Sequence, residues 1–297
     1  MATEGRSETP EGTQSIERAI SILALVSQAA GAGASLTDLV ARSGLKQPTV
    51  HRLLSALGRS GLVEQDDDTR RYHLGYESYV LGILAAPRFG LHRLAQGSVA
   101  RLAHVSEDTA FLTVRRGLFS VCVHREEGTY PIRAHVLSVG DRHPLGVGAG
   151  SIALLAALPD AEIDAILDGN AALYEQRYPA LSLDGLRGLV AETRLRGFSA
   201  HRGLIFPGSW GIGVVVRDEH GHPTAALSIG AAESRLNNSA RQDSLGKLLQ
   251  EEAAKLEQQL KRNAQSPRAP ESGRPSSRPP ARHPAVNGAV RRTAQRR

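Results

Sequence analysis

Three short helical periodicities followed at once by two strand-like runs occupy residues 15–75, and few folds accept that order. Ser15 is placed to cap a first helix, in which Ile16, Ala19, Ile20 and Leu23 recur at i, i+3, i+4 and i+7 before the Gly-Ala run at 30–34. Ser35 opens a second helix, with Asp38 completing a capping-box pattern and Leu39 and Val40 as apolar positions. A tight turn at Ser43-Gly44-Leu45 leads to a third helix whose face is Val50, Leu53, Leu54 and Leu57, with Gly61 set to stop it. Pro48 falls in its first turn, where a missing N–H costs little. Two short strands at 62–65 and 71–74 then flank a polar turn at 66–70. The order predicts a winged helix-turn-helix over residues 14–75.

A helical stretch at 75–86 ends at Pro87, which predicts a linker helix over 76–88. Beyond it the pattern changes. A helix at 91–105 precedes strand-like runs at 109–115, 119–126 and 132–139. A glycine-rich loop, 140–150, opens a helix at 151–158; further helices fit 161–167 and 183–196. Strands return at 198–204, 212–217 and 224–229, and a long helix runs over 239–262. Adjacent strands with helices at either end predict an α+β domain with an antiparallel sheet over 89–263. Residues 1–13 and 264–297 read as disordered tails.

Charge has to be located before it can be used. The last segment, 265–297, carries eight of the 36 Lys and Arg residues and one of the 30 acids, so the preceding 264 residues hold 28 bases against 29 acids. The basicity of the chain belongs to its tail, and truncation after Ala264 is expected to weaken nucleic-acid affinity without regard to sequence. One cysteine, Cys122, excludes a disulfide framework and a Cys-built zinc site. No apolar run approaches a bilayer span and no signal-peptide core is visible, which predicts a cytoplasmic chain with no membrane partner. Nucleophile elbow, P-loop, dinucleotide fingerprint and metal-ligand spacing are all missing, so neither a cofactor, a metal nor an enzymatic activity is expected.

The third predicted helix turns its leucines inward and presents Gln47, Thr49, His51, Arg52, Ser55 and Arg59 on the other side, with Lys46 at its entry. These side chains can reach base edges and phosphates. Asp66, Asp67 and Asp68 at the hairpin tip would be repelled by phosphate, so Arg70 and Arg71 are the candidate backbone contacts of the wing. The same pattern fits a solvated helix, or a module for protein contacts.

The runs Ser15-Ile16-Glu17-Arg18-Ala19-Ile20, Thr49-Val50-His51-Arg52-Leu53-Leu54, Gly61-Leu62-Val63-Glu64 and Tyr72-His73-Leu74-Gly75 resemble the N-terminal signature of the IclR family of bacterial transcriptional regulators. The resemblance spans about residues 14–262. It implies double-stranded DNA as partner, read at palindromic or pseudo-palindromic operators by a homodimer or homotetramer. It also implies a GAF-like effector domain that binds a small molecule, such as an organic or aromatic acid. By that resemblance the effector loop aligns with 144–152, where Gly146 and Ile152 replace the usual His and Lys, and the pocket residues are Gly148, Ala149, Gly150, Ser151, His201 and Gly211. His201 stands where the family often has an acid, and Gly211 where it often has a cysteine. These departures also leave room for a constitutive regulator whose C-terminal domain only dimerises.

Overall fold

The computed structural model describes residues 13–132, 136–205 and 207–265. Helices α1 (Thr13–Gln28), α2 (Leu36–Ser43) and α3 (Gln47–Arg59) precede a hairpin of β1 (Val63–Gln65) and β2 (Tyr72–Leu74). Ser35 caps α2: its hydroxyl accepts from Asp38 N at 3.1 Å and donates to Asp38 Oδ2 at 2.7 Å. That bond holds the Asp38 carboxyl below the usual carboxylate range. At the other end of α2, Gly44 adopts a left-handed φ of 66° and returns its N–H to Val40 O. Ile22, Val26, Leu39, Val50, Leu53, Leu54, Leu57, Val63 and Tyr72 close one small core.

The apolar face of α1 differs from the one expected. Ile22 and Val26 are buried, whereas Ile16 and Ile20 are 61% and 60% exposed. Two apolar stripes overlap on this helix, and docking against α2 and α3 selects the second.

Helix α4 (Tyr76–Ala85) follows the hairpin directly, and a 3-10 turn at Ala86–Phe89 leads to α5 (Leu91–Ser106). Strands β3 (Thr109–Arg116), β4 (Phe119–Glu126), β5 (Arg142–Pro144), β6 (Ser199–Arg202), β7 (Ser209–Arg217) and β8 (Pro223–Ala232) form one sheet in the order β5-β4-β3-β8-β7-β6. Every pairing is antiparallel. Helices α6 (Ala149–Ala156), α7 (Asp160–Arg177) and α8 (Leu183–Arg196) come between β5 and β6, and α9 (Glu233–Leu236) and α10 (Ser239–Gln265) end the described chain. This is the α+β arrangement with a winged helix-turn-helix that the sequence predicts.

Several boundaries move. Among the described residues of 132–139 none is in a strand, and Ile132 and Val139 are exposed; 133–135 lie outside the described residues. Strand β4 instead satisfies Cys122 N with Asp141 O at 3.0 Å and Cys122 O with Gly140 N at 2.8 Å, and pairs Phe119 with Pro144. Helix α7 extends to Arg177, well past the expected 167, because Asn170 and Tyr174 continue its buried side. Thr13, Ala264 and Gln265 are helical rather than tail; the rest of both predicted tails lies outside the described residues.

Because side chains alternate along each strand, the sheet has two faces of different make. One carries Ala110, Leu112, Val114, Ala200, Ile212, Val214, Val216, Ala225, Leu227 and Ile229, packed against Val99 and Leu102 of α5 and Leu249 and Leu256 of α10. The other carries Phe111, Thr113, Cys122, Ser199, His201, Gly211, Gly213, Ser228 and Gly230, by the registers of β3, β4, β6, β7 and β8. Helices α6, α7 and α8 cover part of that second face with a separate apolar cluster around Leu154, Leu155, Ile166, Leu167 and Tyr174.

Candidate functional site

On α3 the structure places Gln47, His51, Arg52, Ser55 and Arg59 at the surface, with Lys46 exposed at the N-cap and Thr49 half-buried. The buried side of the same helix is Val50, Leu53, Leu54 and Leu57, so core and surface separate as the periodicity requires. Ser55 Oγ donates to His51 O at 2.9 Å, leaving its lone pairs outward. On the wing Arg71 is exposed, and its Nη1 donates to Gly33 O at 2.9 Å, which ties the hairpin to the loop after α1. Arg70 is exposed, at a left-handed φ of 57°. At the tip, Asp66 Oδ1 accepts from Thr69 N and Thr69 Oγ1, both at 2.7 Å, which holds its carboxyl below the usual range and the tip anionic.

A cavity of about 660 Å³, counting its open mouth, lies between the second sheet face and the first turn of α6. All six residues expected around an effector, Gly148, Ala149, Gly150, Ser151, His201 and Gly211, line it. The local sequence explains why the space exists. Gly148 takes a φ of 87°, which turns the chain into α6. A Cβ on Gly213 would lie 2.9 Å from the Ala149 carbonyl and from Gly150 N, so only glycine admits this helix so close to β7. Ser199 Oγ donates to Ala149 O at 2.7 Å and fixes the turn from beside it. The first bond within α6 runs from Ile152 N to Gly148 O at 2.9 Å, which leaves the amides of Ala149, Gly150 and Ser151 without helical partners.

The rest of the wall comes from residues that the sequence alone did not single out. Thr113, Ser120, Ser209 and Ser228 supply hydroxyls, Asp141 and His143 stand toward the β4–β5 edge, and Phe111 and Ile205 supply apolar surface. Ser120 Oγ donates to Ser151 Oγ at 3.0 Å, and Ser151 Oγ accepts from Gly146 N at the same distance. His143 Nδ1 lies 2.8 Å from the Tyr178 hydroxyl, and burial pushes its imidazole below the ordinary range. Trp210 lines the cavity, whereas Phe206 lies outside the described residues. Cys122, read from the sequence as a buried structural thiol, is buried and forms part of the wall; burial pushes it up to about 12, far from a reactive thiolate.

Two buried polar atoms on this wall have no partner, Thr113 Oγ1 and His201 Nε2. His201 is 5% exposed, and burial alone pushes its imidazole down to about 4, so the ring is neutral at physiological pH. Among the described residues, no Lys or Arg lines the cavity. The cavity therefore offers main-chain N–H groups, hydroxyls and imidazoles at the α6 and β6 side, with the Asp141 carboxylate at the β4–β5 side, a set suited to a small polar molecule whose acidic end lies toward α6. Among the described residues no cluster of His, Cys, Asp or Glu is placed to hold a metal ion, and no helix is long and apolar enough to cross a membrane.

Comparison with known proteins agrees with this division of the chain. Residues 15–67 match the IclR helix-turn-helix domain, and residues 84–258 match the bacterial transcriptional regulator IclR C-terminal domain. The HTH-type transcriptional regulator XynR of Escherichia coli is 28% identical over 227 residues, covering 76% of this chain and 88% of that protein. BhcR of Paracoccus denitrificans is 27% identical over 234 residues, covering 78% and 82%. Among solved structures, an IclR transcriptional regulator from Alicyclobacillus acidocaldarius superposes with a TM-score of 0.68 at 24% identity, covering 82% of this chain and 98% of that one. A homologue from Microbacterium hydrocarbonoxydans, crystallised with 4-hydroxybenzoate, has a TM-score of 0.67 at 20% identity, covering 84% and 99%. The relatives are named as transcriptional regulators, not enzymes. A helix-turn-helix match over residues 15–67 and an IclR C-terminal match over 84–258 place the chain in the IclR family of bacterial transcriptional regulators.

Proposed function

We propose that this regulator binds a palindromic or pseudo-palindromic operator through α3 and Arg70, and that a small organic or aromatic acid in the cavity controls the binding. The observation that carries the effector half is the pair of unpartnered buried atoms, Thr113 Oγ1 and His201 Nε2, on residues that line the same cavity as the first turn of α6. Buried polar atoms without partners cost stability, and a bound polar molecule removes that cost. A domain that only dimerises has no use for such a cavity, which weighs against the constitutive reading. The 4-hydroxybenzoate held by the Microbacterium homologue supports the acid class.

Control requires two arrangements of the DNA-binding domains that the acid distinguishes. A homo-oligomer supplies them, and the surface favours one. Ile16 and Ile20 of α1 and Tyr76, Tyr79, Ile83 and Leu84 of α4 are all exposed, and α4 has no buried residue at all. Apolar surface on this scale marks a protein contact. A second copy of the chain in a homodimer or homotetramer fits it, with half-sites about one helical turn apart or a multiple of it.

Footprinting on the DNA flanking the gene tests the reading. We expect a protected, sequence-specific site whose occupancy changes with added acids, and a loss of roughly 1–3 kcal/mol in operator affinity for Arg52→Ala. Protection with no sequence preference, or unchanged affinity in a folded double variant of His51 and Arg52, would defeat it.

A further inference from the structure

Resting on the reading that the cavity holds a small acid, we propose that His201 takes up a proton from solvent as the ligand's carboxylate enters, so that effector capture is coupled to pH. The geometry is that of a buried base with nothing to pair with. His201 lies on β6 beside Gly211, on the face where Ala149 meets β7, and its enclosed Nε2 has no partner. Among the described residues no charged group pairs with the ring. Next along β6, Arg202 pairs with Glu192 of α8 at 2.6 Å. Glu192 also takes Arg196, which reaches Asp243 of α10. Across the register β7 presents Gly211 and Trp210, and α6 has no titratable side chain. The titratable groups that share the cavity, Cys122, Asp141 and His143, belong to β4, β5 and the turn before β5, at the opposite edge of the sheet.

In the empty cavity an imidazolium would be a buried cation without a counterion, so the neutral ring is favoured. An entering carboxylate reverses that balance. It brings a negative charge that the α6 amides can only partly satisfy, and a neutral imidazole facing it offers a lone pair on one of its nitrogens. Protonation turns that acceptor into a donor and creates an N⁺–H···O⁻ bond in a site of low dielectric. One proton passes from buffer to the ring; no other bond is made or broken. The site then binds one carboxylate and one proton together, and its affinity for acids rises as pH falls.

Calorimetric titration of the full chain with 4-hydroxybenzoate, benzoate and propionate, in buffers of different ionisation heat, reads the coupling. At about pH 5.5 we expect uptake approaching one proton per bound acid, and an affinity that falls by up to roughly tenfold per pH unit as pH is raised. His201→Gln should remove most of the uptake, and His143→Gln should keep it. Uptake near zero in the unaltered protein would overturn the proposal, as would uptake that survives His201→Gln, since the ligand or another group would then carry the proton. Should the Gln variant fail to fold, histidine ring nitrogen NMR shifts of the unaltered protein decide: one ring must turn to imidazolium when benzoate is added. If none of the acids binds at any pH, the reading of the cavity itself fails, and this proposal with it.

Discussion

The two faces of the central sheet are built from the same strands, yet one is sealed and the other is hollow. On the sealed face the fully buried positions of β3, β7 and β8 are Ala, Leu, Ile or Val, with half-buried Trp210 packed beside them, and α5 and α10 close over them. On the hollow face Phe111, Thr113, Gly211, Ser228 and Gly230 line the cavity, all but Phe111 small, while Gly213 lets α6 pack directly on β7. The lesson is one of volume and polarity together. Apolar bulk at alternate positions yields a core, whereas glycine and hydroxyls at the positions between leave a space whose walls still need partners.

The contrast can be broken from either side. The largest effect belongs to the sealed face: Leu227→Ala should lower unfolding stability by about 2–5 kcal/mol in denaturant melts, since Leu227 is fully buried. On the hollow face the strongest effect should be one of pH. The folded His201 value, about 4, lies below the ordinary 6.5. The unfolded chain therefore binds the extra proton first, and stability present above about pH 6.5 is lost progressively as pH falls through about 4, by roughly 3 kcal/mol in all. His201→Gln should flatten that part of the stability–pH curve; an unchanged curve would show that the ring does not titrate as described. Gly213→Val should come next, costing about 1–3 kcal/mol, because its Cβ would press on the Ala149 and Gly150 backbone. Smallest is Thr113→Val, expected to change stability by less than about 1 kcal/mol, or to raise it, because the hydroxyl it removes has no partner. Its sharper readout is weaker binding of acids by calorimetry, and a clear loss of stability would show that the hydroxyl is satisfied after all.

The sealed face was legible in the sequence, because alternation of Val, Ile, Leu and Ala needs only neighbouring residues to be recognised. So were α3 and its polar side, where one periodicity sorts Leu53 and Leu54 from His51 and Arg52. The hollow face was half legible. The glycines at 146, 148 and 150 mark a helix-opening loop, but Thr113 and Ser228 become neighbours of Gly150 only because β3 pairs with β8 across more than a hundred residues of chain. The signal that would have found them is the glycine or hydroxyl at alternate places in β7, at Ser209, Gly211 and Gly213, and in β8, at Ser228 and Gly230, an alternation read for its large members rather than its small ones. The α1 stripe was half legible: Ala19 and Leu23 pack against the small core while Ile16 and Ile20 face outward, as do Ile132 and Val139 at the ends of the run 132–139.

The first turn of α6 meets the cavity with main-chain N–H groups at Ala149, Gly150 and Ser151, and a peptide amide has no residue identity to lose. Point mutations in that turn can block the space, but they cannot swap the chemistry that the backbone offers. Evolution of a new ligand preference in this scaffold has to proceed at the far strands, where His201, Thr113 and Ser228 sit. Lineages that have diverged in what they sense should therefore differ at those places while the helix-opening turn keeps its shape.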